Sequence, residues 1–200
     1  MKSDGAVERL WGLVDERRRG VRPKDEVDAQ IWREFGAEAS VVYTDLGGFS
    51  RQVAKFGIIH FLEIIHRQRE VFGPLIATHG GTLLKIEADS LLISFKDPRS
   101  ALACTMAMRA KCRDENVGRA PEEHLILCAG IGHGRVLAVS DVDMFGQEVN
   151  SASKLGEDAA KGNEILVTPA FHAALGEVDG VRWTPFEAGI VGAETCYRLD

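Results

Sequence analysis

The fold of this chain is organised around one stretch, residues 80–95, which reads Gly-Gly-Thr-Leu-Leu-Lys-Ile-Glu-Ala-Asp-Ser-Leu-Leu-Ile-Ser-Phe. Two apolar runs flank a polar tip, and this pattern predicts a β-hairpin over residues 82–95. The tip carries one cation, Lys85, and two carboxylates, Glu87 and Asp89. Three charges at the turn of an apolar hairpin are either a costly surface or a functional site, and the rest of the chain helps to decide between them.

Length and composition limit the classes of protein that fit. The 200 residues predict one domain, or one domain with an appendage, and an apolar fraction of 45% suffices for a core. The net charge of −6 argues against a nucleic-acid or anionic-membrane partner, because such surfaces need a basic excess. We find no apolar run near the ~20 residues of a membrane span, and the N-terminus lacks the pattern of a signal peptide.

The cysteines carry information about the cellular compartment. Cys104, Cys112, Cys128 and Cys196 show no Cys-x-x-Cys spacing and lie among apolar neighbours. We therefore expect buried free thiols in a reducing, cytoplasmic environment. A zinc site is not expected, because no histidine lies near any pair of cysteines.

The first 36 residues predict a helical appendage. Helices are expected at 4–19 and 25–35, on either side of Pro23. This segment is expected to pack on the core or on a partner chain, as a dimer clamp or as the place where another protein acts, with residues 37–200 as the second domain. The arginine run at 17–19 either complements the helix dipole or binds phosphate.

The order of the remaining elements predicts an α+β fold, ferredoxin-like in type, with helices on a mostly antiparallel sheet. A second hairpin is expected to turn at Gly132-His133-Gly134, which leaves His133 exposed and inert. The long helix is expected to bury Ile58 and Leu62 in its apolar stripe. The expected elements are a strand at 38–44, a helix at 58–78, the hairpin at 82–95, a helix at 98–116, the hairpin at 124–140, a helix with Asn150 and Lys154, a strand at 164–168, a helix at 169–175 and a strand pair within 181–198.

The end of the first strand has the residues of an anion site. Asp45 is followed by Leu46-Gly47-Gly48-Phe49-Ser50, where a helix begins. Glycines let backbone N–H groups approach an anion, and a helix N-terminus attracts phosphate. Asp45 could face phosphate only with a metal between them. The alternative is a turn in which the aspartate hydrogen-bonds its own backbone.

Four motifs in this order resemble the catalytic domain of class III nucleotidyl cyclases, over about residues 38–175. They are Asp45-Leu-Gly-Gly-Phe-Ser50, Gly80-Gly-Thr-Leu-Leu-Lys85-Ile-Glu-Ala-Asp89, Gly130-Ile-Gly-His-Gly134 and Asp143-Met-Phe-Gly-Gln-Glu-Val-Asn150-Ser-Ala-Ser-Lys154.

The resemblance implies attack of a ribose 3′ oxygen on the α-phosphorus of a nucleoside triphosphate, with release of pyrophosphate. It implies two Mg²⁺ or Mn²⁺ ions per site, bridged by Asp45 and Asp89 with a backbone carbonyl from Leu46. The N–H groups expected on the β- and γ-phosphates are those of Gly47, Gly48, Phe49 and Ser50.

The resemblance also assigns the base-reading pair. Asp143 can accept from the 6-amino group of adenine and Lys85 can donate to N1, so the expected substrate is ATP. A guanine reader would be expected to carry glutamate at position 85. Asn150 would orient the ribose, and Lys154 would stabilise charge on the α-phosphate. Similar enzymes usually have arginine at this last place, and losing its planar fork predicts turnover slower by ~10–100-fold.

Two departures from related sequences bear on activity. Glu87 and Ala88 stand where an apolar residue and glycine are common, and Glu87 is either an extra metal-side carboxylate, a partner of Lys85 or a solvated tip residue. The C-terminal strand at 188–195 lacks a lysine that often contacts polyphosphate, which leaves that binding energy missing or supplied by Arg51 or Lys55.

The chain carries both halves of a shared site, so the resemblance implies a head-to-tail homodimer with two equivalent sites. The leading hypothesis is an adenylate cyclase. The alternatives are a cyclase-like module that only dimerises or binds nucleotide, and a cyclase for another base.

Overall fold

The structure is a computed structural model that describes residues 2–200, without the side chains of residues 2–4, 49 and 50. Its strands are β1 (Gly36–Leu46), β2 (Thr82–Glu87), β3 (Ser90–Phe95), β4 (Leu127–Val139), β5 (Asp143–Phe145), β6 (Ile165–Val167), β7 (Trp183–Ile190) and β8 (Ala193–Leu199). Its α-helices are α1 (Lys2–Arg19), α2 (Lys24–Phe35), α3 (Phe49–Phe56), α4 (Ile58–Thr78), α5 (Pro98–Asn116), α6 (Gln147–Lys154) and α7 (Pro169–Leu175).

The strands form one eight-stranded sheet, in the order β2-β3-β1-β4-β6-β8-β7 with β5 paired to β4. The β4–β6 pair is parallel and the other pairs are antiparallel. This is the mostly antiparallel α+β arrangement that the order of elements predicts. The predicted first hairpin is present as β2 and β3, and the final strand pair as β7 and β8.

The predicted second hairpin is wrong, because β4 runs without a turn through Gly132 and Gly134. These glycines make room for a helix instead. A Cβ at Gly130 would collide with the carbonyl oxygen of Ala152 in α6, and one at Gly132 would lie 2.6 Å from the carbonyl oxygen of Glu148. The absence of side chains thus lets α6 lie directly on the backbone of β4.

His133 is correspondingly buried rather than exposed, with 9% of its surface accessible. Its Nδ1 lies 2.9 Å from the hydroxyl of Ser40, and its Nε2 lies 3.2 Å from Glu38 Oε1. Both contacts cross from β4 to β1, where Ser40 is paired with His133. The residue therefore ties the two central strands together.

Strand alternation places helices on both faces of the sheet. Val42 packs in a core with α4, α5 and α7, whereas its neighbour Val41 packs against Val149 and Ala152 of α6. Because side chains alternate along a strand, the odd-numbered residues of β1 share the α6 face. Asp45 at the end of β1 is one of them, which decides where the site lies.

The first turn of α4 differs from the predicted burial. Ile58 and Leu62 are about half exposed. They line a groove beside Ala88 at the β2–β3 turn instead of packing over the sheet. The apolar face of α4 extends beyond the edge of the core, so Ile58 and Leu62 at its start line a surface groove.

The N-terminal helices pack as an antiparallel pair on the end of β4. Arg9 pairs with Glu34 and Arg17 pairs with Asp28 across the two helices. Their apolar faces bury Val139 of β4 in a separate cluster of Leu10, Leu13, Val27, Ile31 and Phe35. The boundary at residue 36 between an appendage and a catalytic domain stays a prediction.

The cysteines are buried free thiols, as their spacing predicts. Among the helices of residues 2–200, none has the length and apolar character required to cross a membrane.

Candidate active site

Asp45 and Asp89 meet on the α6 face of the sheet. Thr44 of β1 is paired with Leu91 of β3, so the last residues of β1 lie beside the β2–β3 turn that holds Asp89. Burial, together with the hydrogen-bonded carboxylate of Asp89, raises the pKa of Asp45 to about 7. The hydroxyl of Ser90 donates to Asp45 Oδ1 at 3.1 Å. Two carboxylates this close repel each other when both are ionised, and a cation bound between them would remove that repulsion.

The carboxylate of Asp89 has a buried oxygen that a cation could bind. Asp89 is 6% exposed, and its Oδ2 is buried without a hydrogen-bond partner among the described residues. Burial also raises the pKa of Asp89. A buried acceptor without a partner is costly, and a divalent cation would satisfy it.

Asp45 and Asp89 fit an open Mg²⁺ or Mn²⁺ site, in which other ligands come from the substrate, better than a site closed by protein ligands alone. In the part of the chain that the structure describes, no three His, Cys, Asp or Glu side chains form a metal-binding group. Magnesium is typically held by one or two carboxylates together with substrate phosphates. The backbone N–H of Leu46 hydrogen-bonds both carboxylates; metal ligation by the Leu46 carbonyl stays a prediction.

The segment after Asp45 only partly fits an anion site, because the backbone N–H of Gly47 donates to the carbonyl oxygen of Ile126 at 2.8 Å. Gly48 has φ +94°, in the left-handed region, and caps the N-terminus of α3. Gly47 packs so closely on Ile126 that a Cβ would lie 3.0 Å from its side chain. Phe49 and Ser50 begin α3, but their side chains lie outside the described residues. Phosphate contacts by this segment remain a prediction.

A cavity of about 360 Å³ opens on the same face of the sheet. Lys85 from β2, Asp143 from β5 and Asn150 from α6 all line it, so the structure brings together three residues that are distant in sequence. The remaining lining residues are Tyr43, Glu87, Ser90, Leu92, Met144, Phe145, Val149, Ser153 and Glu157. Asp45 and Asp89 are not among them.

The two predicted base-reading residues are ion-paired with each other. Lys85 Nζ lies 2.6 Å from Asp143 Oδ2. The other carboxylate oxygen of Asp143 accepts from the backbone N–H of Met144 at 2.8 Å. Asp143 is therefore held by its own strand, while Lys85 remains on a flexible side chain.

Lys154 is placed differently from Asn150. Asn150, Ser153 and Glu157 line the cavity, whereas Lys154 is exposed and is not among the lining residues. Directly after Lys154 the helix widens into a π-helix, Leu155–Ala159. Such widened turns occur often at functional sites.

One wall of the cavity is a hydrogen-bonded cluster that the sequence motifs do not include. The hydroxyl of Tyr43 donates to Glu157 Oε1 at 2.8 Å, and that of Ser153 donates to Glu157 Oε2 at 2.9 Å. Burial, together with the bond to Glu157, raises the pKa of Tyr43 to about 12. One signal was available, since Tyr43 lies two residues before Asp45 and so shares its face.

The three charges of the hairpin tip separate in space. Glu87 lines the cavity beside Lys85, whereas Asp89 lies with Asp45. The chain turns between them at Ala88, which has φ +52°. Glu87 thus lies on the Lys85 side of the tip and not with the carboxylate pair.

The left-handed backbone of Ala88 leads to a stability prediction. A residue with a Cβ is disfavoured there and glycine is not. We expect Ala88→Gly to stabilise the fold by ~0.5–1 kcal/mol, or about 1–4 °C in thermal melts. The matched control is Ala103→Gly on the exposed face of α5, which should destabilise by ~1 kcal/mol. Equal losses in both variants would contradict the assigned strain.

Most of the chain matches a known protein family. Residues 34–193 match the family described as the adenylate and guanylate cyclase catalytic domain. The chain belongs to this family. Its fold is therefore that of a class III cyclase catalytic domain, and α1 lies outside the matched region.

Curated relatives of this cyclase domain are distant. A putative adenylate cyclase 3 of Rhizobium meliloti is 25% identical over 134 residues, which is 67% of this chain and 22% of the relative. The serine/threonine-protein kinase pkn2 of Myxococcus xanthus is 24% identical over 135 residues, 68% of this chain and 16% of the relative. The chain thus spans less than a quarter of either protein.

Solved structures support the same fold. An adenylate/guanylate cyclase/hydrolase from Silicibacter pomeroyi superposes with a TM-score of 0.69 at 21% identity, covering 82% of this chain and 96% of that one. The adenylyl cyclase CyaB from P. aeruginosa gives 0.66 at 19% identity, covering 82% and 94%. The guanylyl cyclase Cya2 gives 0.65 at 21% identity, covering 82% and 91%.

Proposed function

We propose that this cyclase domain is an adenylate cyclase that converts ATP to 3′,5′-cyclic AMP and pyrophosphate for signalling. The observation that carries the proposal is the Lys85–Asp143 pair in the cavity that also holds Asn150. The hydrogen-bonding demands of adenine match that pair. The metal-binding carboxylates lie on the same face of the sheet.

Adenine would replace the Lys85–Asp143 ion pair with two hydrogen bonds, each between one charged side chain and the neutral base. The 6-amino group donates to Asp143 and N1 accepts from Lys85, so each side chain keeps a partner when the base enters. Guanine offers the opposite pattern, an acceptor at O6 and a donor at N1. It would leave the carboxylate facing an acceptor and the ammonium facing a donor, and a mismatched pair costs ~1–3 kcal/mol.

The catalytic residues divide the remaining work. Two divalent cations at Asp45 and Asp89 would supply the charge that activates the ribose 3′ hydroxyl and neutralises the polyphosphate. Asn150 holds the ribose so that its 3′ oxygen is aligned with the α-phosphorus. That oxygen loses its proton to solvent and forms the new bond as the bond to pyrophosphate breaks, and Lys154 would balance charge on the α-phosphate.

The proposed site is shared between two copies of the chain. The cavity of one chain contains Lys85, Asp143 and Asn150 but not the carboxylates Asp45 and Asp89. A second copy arranged head to tail would bring its carboxylates to this cavity and receive the same in return. Such a two-fold dimer has two equivalent sites.

One observation favours a second candidate, a nucleotide-binding or dimerisation module with little turnover. Lys154 is exposed, is not among the residues that line the cavity, and lacks the planar fork of arginine.

The solved relatives include both adenylyl and guanylyl cyclases. Base choice therefore rests on Lys85 and Asp143.

The test is turnover of ATP, GTP, CTP and UTP with Mn²⁺, with both the cyclic nucleotide and pyrophosphate measured. We expect ATP to be preferred. The double variant Lys85→Glu, Asp143→Ser should lower kcat/KM for ATP by about 10–100-fold, because both adenine contacts are lost. Lys96→Glu, a charge reversal on the exposed surface after β3, is the control. Unchanged ATP turnover in the double variant would remove these residues from base reading.

A further inference from the structure

The N-terminal helices touch the wall of the nucleotide cavity. The indole of Trp11 on α1 meets the ring of Phe145 edge to face, with ring centroids 6.2 Å apart and planes at 77°. Phe145 lines the cavity, two residues after Asp143. One aromatic pair thus joins the helical pair to the strand that carries a base-reading residue.

Strand β5 is too short to hold its side chains in place without contacts from other elements. β5 has 3 residues and pairs only with β4 in the described sheet. The turn that precedes it holds Ser140 at φ +52°, a backbone conformation that is strained for a residue other than glycine. A strand this short at such a turn has few hydrogen bonds of its own to hold its side chains in place.

The helical pair covers the part of β4 to which β5 is bonded. Val139 is buried against Leu10 and Leu13 of α1 and is paired with Asp143, and Leu137 is paired with Phe145. The helices therefore reach β5 by two routes, through the backbone of β4 and through the Trp11–Phe145 contact. Both routes end at residues that line the cavity.

Exposure sets Trp11 apart from the rest of that interface. Its side chain is 55% exposed and Phe145 is 37% exposed, whereas Leu10 and Leu13 are buried. An exposed tryptophan contributes little to the core, since most of its surface stays in water. Its edge-to-face contact with Phe145 is the feature that the structure assigns to it.

We propose that Trp11 is a positioning residue that acts through Phe145, holding β5 so that Asp143 is presented to the base. This inference rests on the proposed function for its effect on ATP use. The contact belongs to this chain and not to the family match, which begins at residue 34.

The test compares Trp11→Ala with Trp11→Phe and with Arg9→Ala. Trp11→Phe keeps a ring that can reach Phe145. Arg9→Ala loosens the exposed pairing between α1 and α2, in which Arg9 bonds Glu34 at 3.0 Å, and leaves Trp11 in place. Thermal melts of each variant establish that it is folded.

The first measurement is amide hydrogen exchange across residues 140–147, which requires neither turnover nor nucleotide. We expect Trp11→Ala to speed exchange there by about tenfold, with Trp11→Phe and Arg9→Ala close to the parent protein. Unchanged exchange in Trp11→Ala, or an equal increase in Arg9→Ala, would overturn the positioning role. This result stands whether or not ATP is the substrate.

The second measurement separates binding from chemistry. With ATP and Mn²⁺, we expect Trp11→Ala to raise KM by about 3–10-fold with kcat changed less than about twofold, and Trp11→Phe to restore KM. A fall in kcat at constant KM would overturn the link to base presentation. Absence of turnover in the parent protein would instead be a failure of the proposed function, and the exchange result would still decide the role of Trp11.

Discussion

Asp45→Asn is expected to lower ATP turnover by at least ~1,000-fold and to raise the melting temperature of the metal-free protein. The substitution keeps the shape of the side chain but removes one of the two charges that would hold the cations. The remaining carboxylate, Asp89, would bind a divalent cation much more weakly. Turnover is measured as pyrophosphate release with saturating Mn²⁺, and Asp114→Asn on α5 is the matched control.

The gain in stability has an electrostatic origin and a definite pH dependence. The pKa of Asp45 is raised to about 7 in the folded protein, so the fold binds more protons here than the unfolded chain does. Its contribution to stability is therefore lost as the pH rises from about 4 to about 7. The advantage of Asp45→Asn in EDTA should be largest near pH 8, at about 2–4 °C for ~1 kcal/mol, and should vanish near pH 4.

Added cation should reverse this order. Mn²⁺ or Mg²⁺ that binds only the folded state raises the melting temperature of the parent protein, and Asp45→Asn should respond weakly. If Asp45→Asn retained turnover, or if it melted below the parent in EDTA at pH 8, the two carboxylates would not form the proposed cation site. Asp114→Asn should leave turnover, melting and the metal response unchanged.

Two inactive chains should produce an active mixture if the site is shared. Asp45→Ala removes a proposed metal ligand, and Asn150→Ala removes the proposed ribose contact. In a head-to-tail dimer of one chain of each kind, both lesions fall in one site and the other site is intact. Random assortment makes half of the dimers mixed, so an equimolar mixture should recover about a quarter of the parent turnover.

The comparison requires proof that mixed dimers form. Differently tagged chains are mixed, exchanged and purified through both tags, and the purified heterodimer should then reach about half of the parent turnover per dimer. The control mixes Asp45→Ala with Asp89→Ala, whose lesions lie in the same half of the site and should give no recovery. A purified heterodimer of Asp45→Ala and Asn150→Ala without activity would place each complete site within one chain.

Local patterns predicted the elements well and the glycine motif of β4 badly. The apolar runs around Lys85 gave a correct hairpin, because alternation within a few residues reports a strand directly. Gly132-His133-Gly134 has the composition of a turn, but here glycine serves close packing by α6. The same residues suit either use, and only a helix distant in sequence distinguishes them.

In the candidate site, too, some residues could be identified from local sequence and others only from long-range contacts. Asp45 and Lys85 stood out in the sequence as charged residues beside apolar runs, whereas Asp143 and Asn150 were assigned by the resemblance of their motif, and the roles of all four stay predictions. Tyr43 offered only its position on the same strand face as Asp45, because a tyrosine in a strand looks like a core residue until its hydroxyl is seen to donate to Glu157.

The α+β order, the charged tip of the first hairpin and the motifs that resemble a cyclase site can be read from the amino-acid sequence, because they depend on periodicity and on residue types close together in the chain. Three contacts arise only when the chain is folded: Asp45 lies beside the buried Asp89, Lys85 pairs with Asp143, and Trp11 meets Phe145. Those contacts depend on the register of β1 with β3 and on packing between distant elements. Such long-range geometry leaves no local pattern in the sequence.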